Sequence, residues 1–230
     1  MRITRRPVDR TVMIAVAAAL LVLAACDGGG EAPATDDPPT PAADADAEEV
    51  ASSFVEAYGA FDAEEAITYL APDAAILDLV GSVGAHRGVE GTPDELRLLI
   101  SLLRAEGYRQ TLDSCEAQGD SASGTMVHCT FDFHLFGSDR LGLGPYGGSS
   151  FDLTVRNGGI VRAAASFEVV EFSRQMWEPF DAWVSEAHPR DSAMMYEDET
   201  HTGVRLSQES VRLWRRHVRE YVKEVEQGTD

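Results

Sequence analysis

Apolar residues recur every three or four positions in the first half of the chain, which predicts three helices. The first runs from about Ala47 to Ala60 and has an aromatic face. A second, short helix starts at Asp62, and Glu65 completes its capping box. The third helix begins at Thr92-Pro93, with acids in its first turn, and ends at Gly107.

Between the second and third helices, residues 74–80 read as an apolar strand that carries one acid, Asp78. Side chains alternate along a strand, so Ile76, Asp78 and Val80 share one face. The loop that follows contains His86 beside Arg87.

From Tyr108 onward the hydrophobic period changes to two, which is typical of strands. Residues 109–117 and 125–136 predict one antiparallel hairpin. Residues 151–155 and 160–172 predict another, joined at Asn157-Gly158-Gly159, whose residues tolerate positive φ. Helices followed by antiparallel strands indicate an α+β fold.

The last part of the chain, residues 174–230, reads as a helical extension packed on the domain formed by residues 47–173. A short apolar helix is expected near Pro179 and should end at His188-Pro189. A polar loop and a final helix capped by Ser207 should follow, with Trp214 in its apolar stripe. The alternatives for this extension are a lid over the domain or an interface with a second protein.

The N-terminus has the pattern of a bacterial export signal. Four arginines precede an apolar run at residues 12–23, which is too short to span a bilayer. The run ends in Leu23-Ala24-Ala25-Cys26, which resembles a lipobox. Residues 1–25 are therefore predicted to be a lipoprotein signal peptide, with Cys26 acylated; an ordinary signal peptide with a chance cysteine is the alternative.

Residues 26–46 are rich in Gly, Pro, Ala and Asp and predict an unfolded tether. The expected location is the cell envelope, on the outer face of the cytoplasmic membrane. Only one of the 19 basic residues, Lys223, is a lysine, which suggests a GC-rich, actinobacteria-like genome.

The chain is strongly acidic, with a formal net charge of −20. Removing the predicted signal peptide makes the charge more negative still, so nucleic acid is excluded as a partner. Cys115 and Cys129 lie on either side of a turn-like stretch at 118–124, where a hairpin would place them opposite each other. A disulfide is expected outside the cytoplasm, and two buried free thiols are the alternative.

This order of elements resembles the nuclear-transport-factor-2-like cone shared by SnoaL-like polyketide cyclases, scytalone dehydratase and ketosteroid isomerase. Residues 75–82 with Arg87-Gly88 resemble the isomerase strand that carries the general base, so the resemblance implies that Asp78 is the base. It also implies a second acid at Asp152. The oxyanion tyrosine of the isomerase falls at Phe54, which has no hydroxyl, and Tyr58 one turn later is its possible replacement.

The residues support Asp78 independently, because apolar neighbours raise the pKa of a carboxyl group and make it a better proton acceptor. A rim position that only hydrogen-bonds the following loop is the alternative. The predicted ligand pocket is an apolar cone. Its expected lining residues are Phe54, Tyr58, Ile76, Val80 and His86.

Three functions are compatible with this pattern. The favoured one is non-catalytic binding of a small hydrophobic molecule, without a cofactor. A cyclase or isomerase that uses Asp78 and a protein-interaction module of the cell envelope are the alternatives, and a homodimer is left open. His128, Asp132 and His134 share one strand face, but it lies opposite the apolar face, so a solvated surface is expected there and no metal site.

Overall fold

A computed structural model describes residues 46–77, 93–201 and 203–228, and the side chains of these residues except 75–77. The helices are α1 (Ala47–Gly59), α2 (Ala63–Thr68), α3 (Pro93–Glu106), α4 (Val170–Phe172), α5 (Glu178–Ala187), α6 (Pro189–Met195) and α7 (Gln208–Gly228). The strands are β1 (Leu70–Leu77), β2 (Arg109–Ser121), β3 (Gly124–His134), β4 (Tyr146–Arg156) and β5 (Gly159–Ser166).

The five strands form one sheet in the order β1-β5-β4-β3-β2. All neighbours are antiparallel except β1 and β5, which run parallel. The expected α+β class is confirmed, while the parallel edge strand departs from the purely antiparallel sheet that was predicted. Strand β1 also begins at Leu70, four residues earlier than predicted.

The predicted cap of the second helix and the predicted turn of the second hairpin are both present in the structure. The Asp62 carboxylate accepts a hydrogen bond from the Glu65 backbone N–H at 3.0 Å and so caps α2. Asn157 and Gly158 take φ values of 52° and 72° in the two-residue turn between β4 and β5. Positive φ at both central residues matches the right-handed twist of the two strands.

The prediction that the last strand reaches residue 172 is wrong. Strand β5 ends at Ser166, and the chain then forms α4, a π-helical turn at Ser173–Trp177 and α5. The physical reason is the apolar spacing beyond the strand. Fully buried residues recur there at every fourth position, which is a helical period: Phe172, Met176, Phe180 and Val184. Helix α6 also occupies part of the region expected to be a polar loop.

The C-terminal helix α7 packs against α3, α5 and α6. The Ser207 hydroxyl accepts a hydrogen bond from the Ser210 N–H at 3.1 Å, which caps the helix. Trp214 is fully buried in the middle of its apolar stripe, and its ring lies 5.3 Å from that of Phe136 and 5.4 Å from that of Phe180. The contact with Phe136 joins the extension to the segment that follows β3. Within the described ranges, no helix has both the length and the apolar character needed to cross a membrane.

Candidate functional site

Two of the predicted pocket residues, Phe54 and Tyr58, are fully buried core residues on α1. The Tyr58 ring lies 5.4 Å from the ring of Phe151 and 6.4 Å from that of Tyr108. Tyr58 therefore stabilises the packing of α1 on the sheet through aromatic contacts, and the Phe54 ring lies 6.2 Å from that of Tyr58 on the same helix.

The other predicted site residues of the cone fall mainly outside the described residues. This applies to Asp78, Val80 and His86, and also to the predicted lipid anchor Cys26. The backbone of Ile76 pairs with Ala163 of β5, but its side chain is outside the described set.

The structure places Asp152, the second acid that the resemblance implies, on the outer face of the sheet. Its side chain is half-exposed, and its Oδ1 atom lies 2.8 Å from Nδ1 of His128. Its strand neighbours Phe151 and Leu153 are fully buried, so alternation along β4 directs Asp152 to the outer face of the sheet.

The two cysteines of the first hairpin face each other across the strands. Cys115 of β2 and Cys129 of β3 are register partners, and a disulfide bond joins them. Cys129 is fully buried, so the bond fixes the hairpin from the core side of the sheet.

The described residues form a cleft of about 710 Å³ between α3, α7 and the turn that follows β3. We call it the arginine cleft, because five arginines line it: Arg104, Arg109, Arg140, Arg215 and Arg219. Its apolar lining consists of Phe61, Ala105, Tyr108, Val218 and Val222. A volume of this size accommodates a small-molecule ligand.

Five separate positions of the fold bring these arginines together. Arg104 lies in the last turn of α3, and Arg109 is the first residue of β2. Arg215 and Arg219 are four residues apart on α7 and therefore share one helix face. Arg140 follows Gly137, which approaches α7 so closely that an added Cβ would lie 2.7 Å from Cγ2 of Val222.

The cleft carries more positive charge than its acidic residues neutralise. Arg109 pairs with Asp139 at 3.1 Å, and Arg140 pairs with Glu226 at 2.7 Å. Arg104, Arg215 and Arg219 form no ion pair with any carboxylate among the described residues. Guanidinium groups match the geometry of carboxylates and phosphates, so the cleft is suited to an anion although the whole chain is acidic.

Glu106 does not cancel this charge. It lies between Ala105 and Gly107, which both line the cleft, but its own side chain is buried. Burial in an apolar environment raises the pKa of Glu106 to about 8. The carboxyl group is therefore mostly neutral at pH 7.

The sequence interpretation missed the arginine cleft. Arg215 and Arg219 lie more than 100 residues after α3 in the chain, so the sequence around them does not show that α3 packs alongside. One signal was present: the chain uses arginine almost exclusively as its basic residue, and two arginines lie one helical turn apart beside an apolar stripe.

No protein-family model matches the sequence, and no curated protein matches it. Among solved structures, a "putative polyketide cyclase" from Pseudomonas putida is 16% identical, with a TM-score of 0.41, over 57% of this chain and 98% of that one. An NTF2-like protein of unknown function from Cytophaga hutchinsonii is 14% identical, with a TM-score of 0.36, over 53% of this chain and 88% of that one. At these identities and TM-scores, the matches carry no argument about the fold or the activity of this chain.

Proposed function

We propose that this protein is an exported, lipid-anchored binding protein that holds a small hydrophobic molecule with an acidic head group, without chemically changing it. The observation that carries the proposal is the arginine cleft, with its five guanidinium groups and apolar lining. The proposal moves the binding site from the predicted cone to this cleft.

The cleft combines two chemical environments that an amphiphilic anion requires. Phe61, a part-exposed residue of the lining, supplies an apolar surface for a hydrocarbon chain, while Ala105, Val218 and Val222 are almost fully buried. Arg104, with no carboxylate partner among the described residues, supplies hydrogen-bond donors for a carboxylate or phosphate head group.

The same side chains favour binding over catalysis. Arginine stays protonated at physiological pH and so does not exchange protons with a substrate. The acid that lines the cleft, Asp139, is held by Arg109 at 3.1 Å. The Tyr108 hydroxyl donates to Oε1 of Gln110 at 2.8 Å, and burial raises the pKa of Tyr108.

The lipid anchor and tether complete the proposal. Acylation at Cys26 would hold the domain at the outer face of the cytoplasmic membrane, and residues 27–46 would give a reach of roughly 25 Å. A binding domain held at this distance is positioned to take up amphiphiles that leave the lipid surface.

The enzyme alternative keeps one supporting observation. Leu77, the last described residue of β1, pairs with Ala164 of β5, so the sheet fixes the backbone immediately before Asp78. A cyclase or isomerase that uses Asp78 as its base predicts turnover that is lost in Asp78→Asn while ligand binding is retained.

Calorimetric titration tests the binding proposal. The mature chain, in detergent micelles, is titrated with oleate, with lysophosphatidic acid and with neutral monoolein. We expect binding of at least one acidic amphiphile and much weaker binding of monoolein, because only the acids pair with the arginines. Comparing the two acids distinguishes a carboxylate from a phosphate head group.

Two variants locate the binding site. Arg104→Gln with Arg215→Gln should weaken binding by about 10-fold or more, since a charged hydrogen bond contributes ~1.5–3 kcal/mol. Arg212→Gln is the matched control, because Arg212 is exposed on α7 and does not line the cleft. Equal affinity in the double variant and the control would exclude the cleft as the site.

A further inference from the structure

Two histidines and an aspartate meet where α5, α6 and α7 come together. His188 ends α5, Asp191 lies in the first turn of α6, and His217 lies in the middle of α7. One nitrogen or oxygen atom from each residue lies within 4.8 Å of those from the other two. The imidazole rings of His188 and His217 are 4.3 Å apart, measured between their centroids.

The hydrogen bonds of His217 define which of its nitrogens is available to a ligand. Its side chain is 0% exposed, and Nδ1 lies 3.0 Å from Oε2 of Glu220. A carboxylate only accepts hydrogen bonds, so Nδ1 carries the hydrogen in this contact. In a neutral imidazole the lone pair is then on Nε2, which lies 2.9 Å from Oδ2 of Asp191. Because Nδ1 faces Glu220, Nε2 is the nitrogen that faces Asp191.

The Arg216 guanidinium lies against both of these atoms in the structure. Its Nη2 atom lies 2.9 Å from Nε2 of His217 and also contacts Oδ2 of Asp191. The Arg216 side chain is half-exposed, so it can turn into solvent without leaving a buried charge. His217 and Asp191 are held by their helices, and the arginine is the replaceable member of this group.

We propose that His188, Asp191 and His217 bind one divalent transition-metal ion of the zinc class, which takes the place of the Arg216 guanidinium. Two imidazole nitrogens and one carboxylate oxygen are a donor set that suits zinc and its neighbours. Ligand atoms around tetrahedral zinc, at bond lengths of about 2.0–2.1 Å, are roughly 3.3 Å apart, so small side-chain shifts would complete the site.

The surrounding residues support this assignment. Glu220 accepts the Nδ1 hydrogen of His217 and so orients the ring, as a carboxylate does for metal-bound histidines. The metal would cross-link α6 to α7 and leave a fourth position for water. This proposal is independent of the arginine cleft, which shares none of these residues.

Cobalt titration of the metal-free mature chain tests the proposal, with zinc competition as a second readout. We expect one Co²⁺ per chain, with visible absorption of a low-coordinate site, and displacement of cobalt by zinc. His188→Ala should weaken binding at least tenfold; its side chain is part-exposed, so the variant should fold. Arg216→Gln should bind the metal more tightly, because it removes the competing cation.

His128→Ala is the control, since His128 also contacts a carboxylate but lies on the outer face of the sheet. It should bind cobalt as the unaltered chain does. Absence of stoichiometric binding, an unchanged affinity in His188→Ala, or weaker binding in Arg216→Gln would each overturn the proposal.

Discussion

At the scale of single residues, the buried carboxyl group of Glu106 makes the stability of the protein depend on pH. Its pKa is about 8 in the folded chain, against an ordinary value of 4.5, because burial penalises the charged form. Between these values the folded state holds a proton that the unfolded state releases. The stabilising contribution is therefore complete below about pH 4.5 and is lost as the pH rises towards 8.

Glu106→Gln should remove this dependence. The unaltered chain should lose on the order of 3–5 kcal/mol of unfolding free energy between pH 4.5 and 8 through this one group. The variant should lose much less and be the more stable protein at pH 9. Urea denaturation across this range measures the difference, with Glu186→Gln, at an exposed position of α5, as the control. Parallel pH profiles for Glu106→Gln and the unaltered chain would show that the carboxyl group is not buried in this way.

Asp152 shows what residue patterns can and cannot supply. The alternation Phe151-Asp152-Leu153 predicts an outward aspartate, and the structure places it outward. The resemblance to an enzyme family implied an acid at this position and did not indicate which face of the sheet its side chain occupies. Tyr58 and Phe54 were identified as inward residues, but a helix pattern does not reveal whether an inward residue lines a cavity or fills the core.

At the scale of elements, the β2–β3 hairpin is fixed by its disulfide bond. Cys115 and Cys129 are 14 residues apart, and a cross-link that closes a loop of this size is worth about 3 kcal/mol in the chain-entropy description. The free energy of unfolding of the double variant Cys115→Ala, Cys129→Ala should therefore be lower by about 2–3 kcal/mol. Urea denaturation measures this difference as a lower midpoint concentration.

Reduction separates the cross-link from the packing of the cysteines. A reducing agent should lower the stability of the unaltered chain and leave the double variant unchanged. If the unaltered chain is equally stable in both redox states, the bond does not constrain the unfolded state.

The helices and hairpins with strong local signals were predictable from the sequence. The Asp62 cap, the Asn157-Gly158 turn and the stripe around Trp214 each depend on residues close together in the chain. The parallel pairing of β1 with β5 was not predictable, because it joins segments about 90 residues apart. The end of β5 was missed because Val169 and Val170 continue its apolar character, whereas the helical spacing starts only at Phe172.

At the scale of the whole molecule, the main feature is the contrast between a chain of formal charge −20 and a cleft lined by five arginines. These residues come from α3, β2, the turn after β3 and α7, so only the packing of α7 on α3 assembles the cleft. No local sequence pattern predicts that these five arginines lie together. The acidic surface would repel most anions. An apolar tail would favour the binding of amphiphilic anions, because the tail can enter the cleft.

Native mass spectrometry of the mature chain, purified from its producing organism and then denatured, tests the central claim most directly. We predict that the chain releases an amphiphile with an acidic head group. The variant with Arg104→Gln, Arg215→Gln and Arg219→Gln should release none, while Arg212→Gln should retain it. Release of the same molecule, in equal amount, from the triple variant would contradict the account, as would a neutral molecule in the unaltered chain.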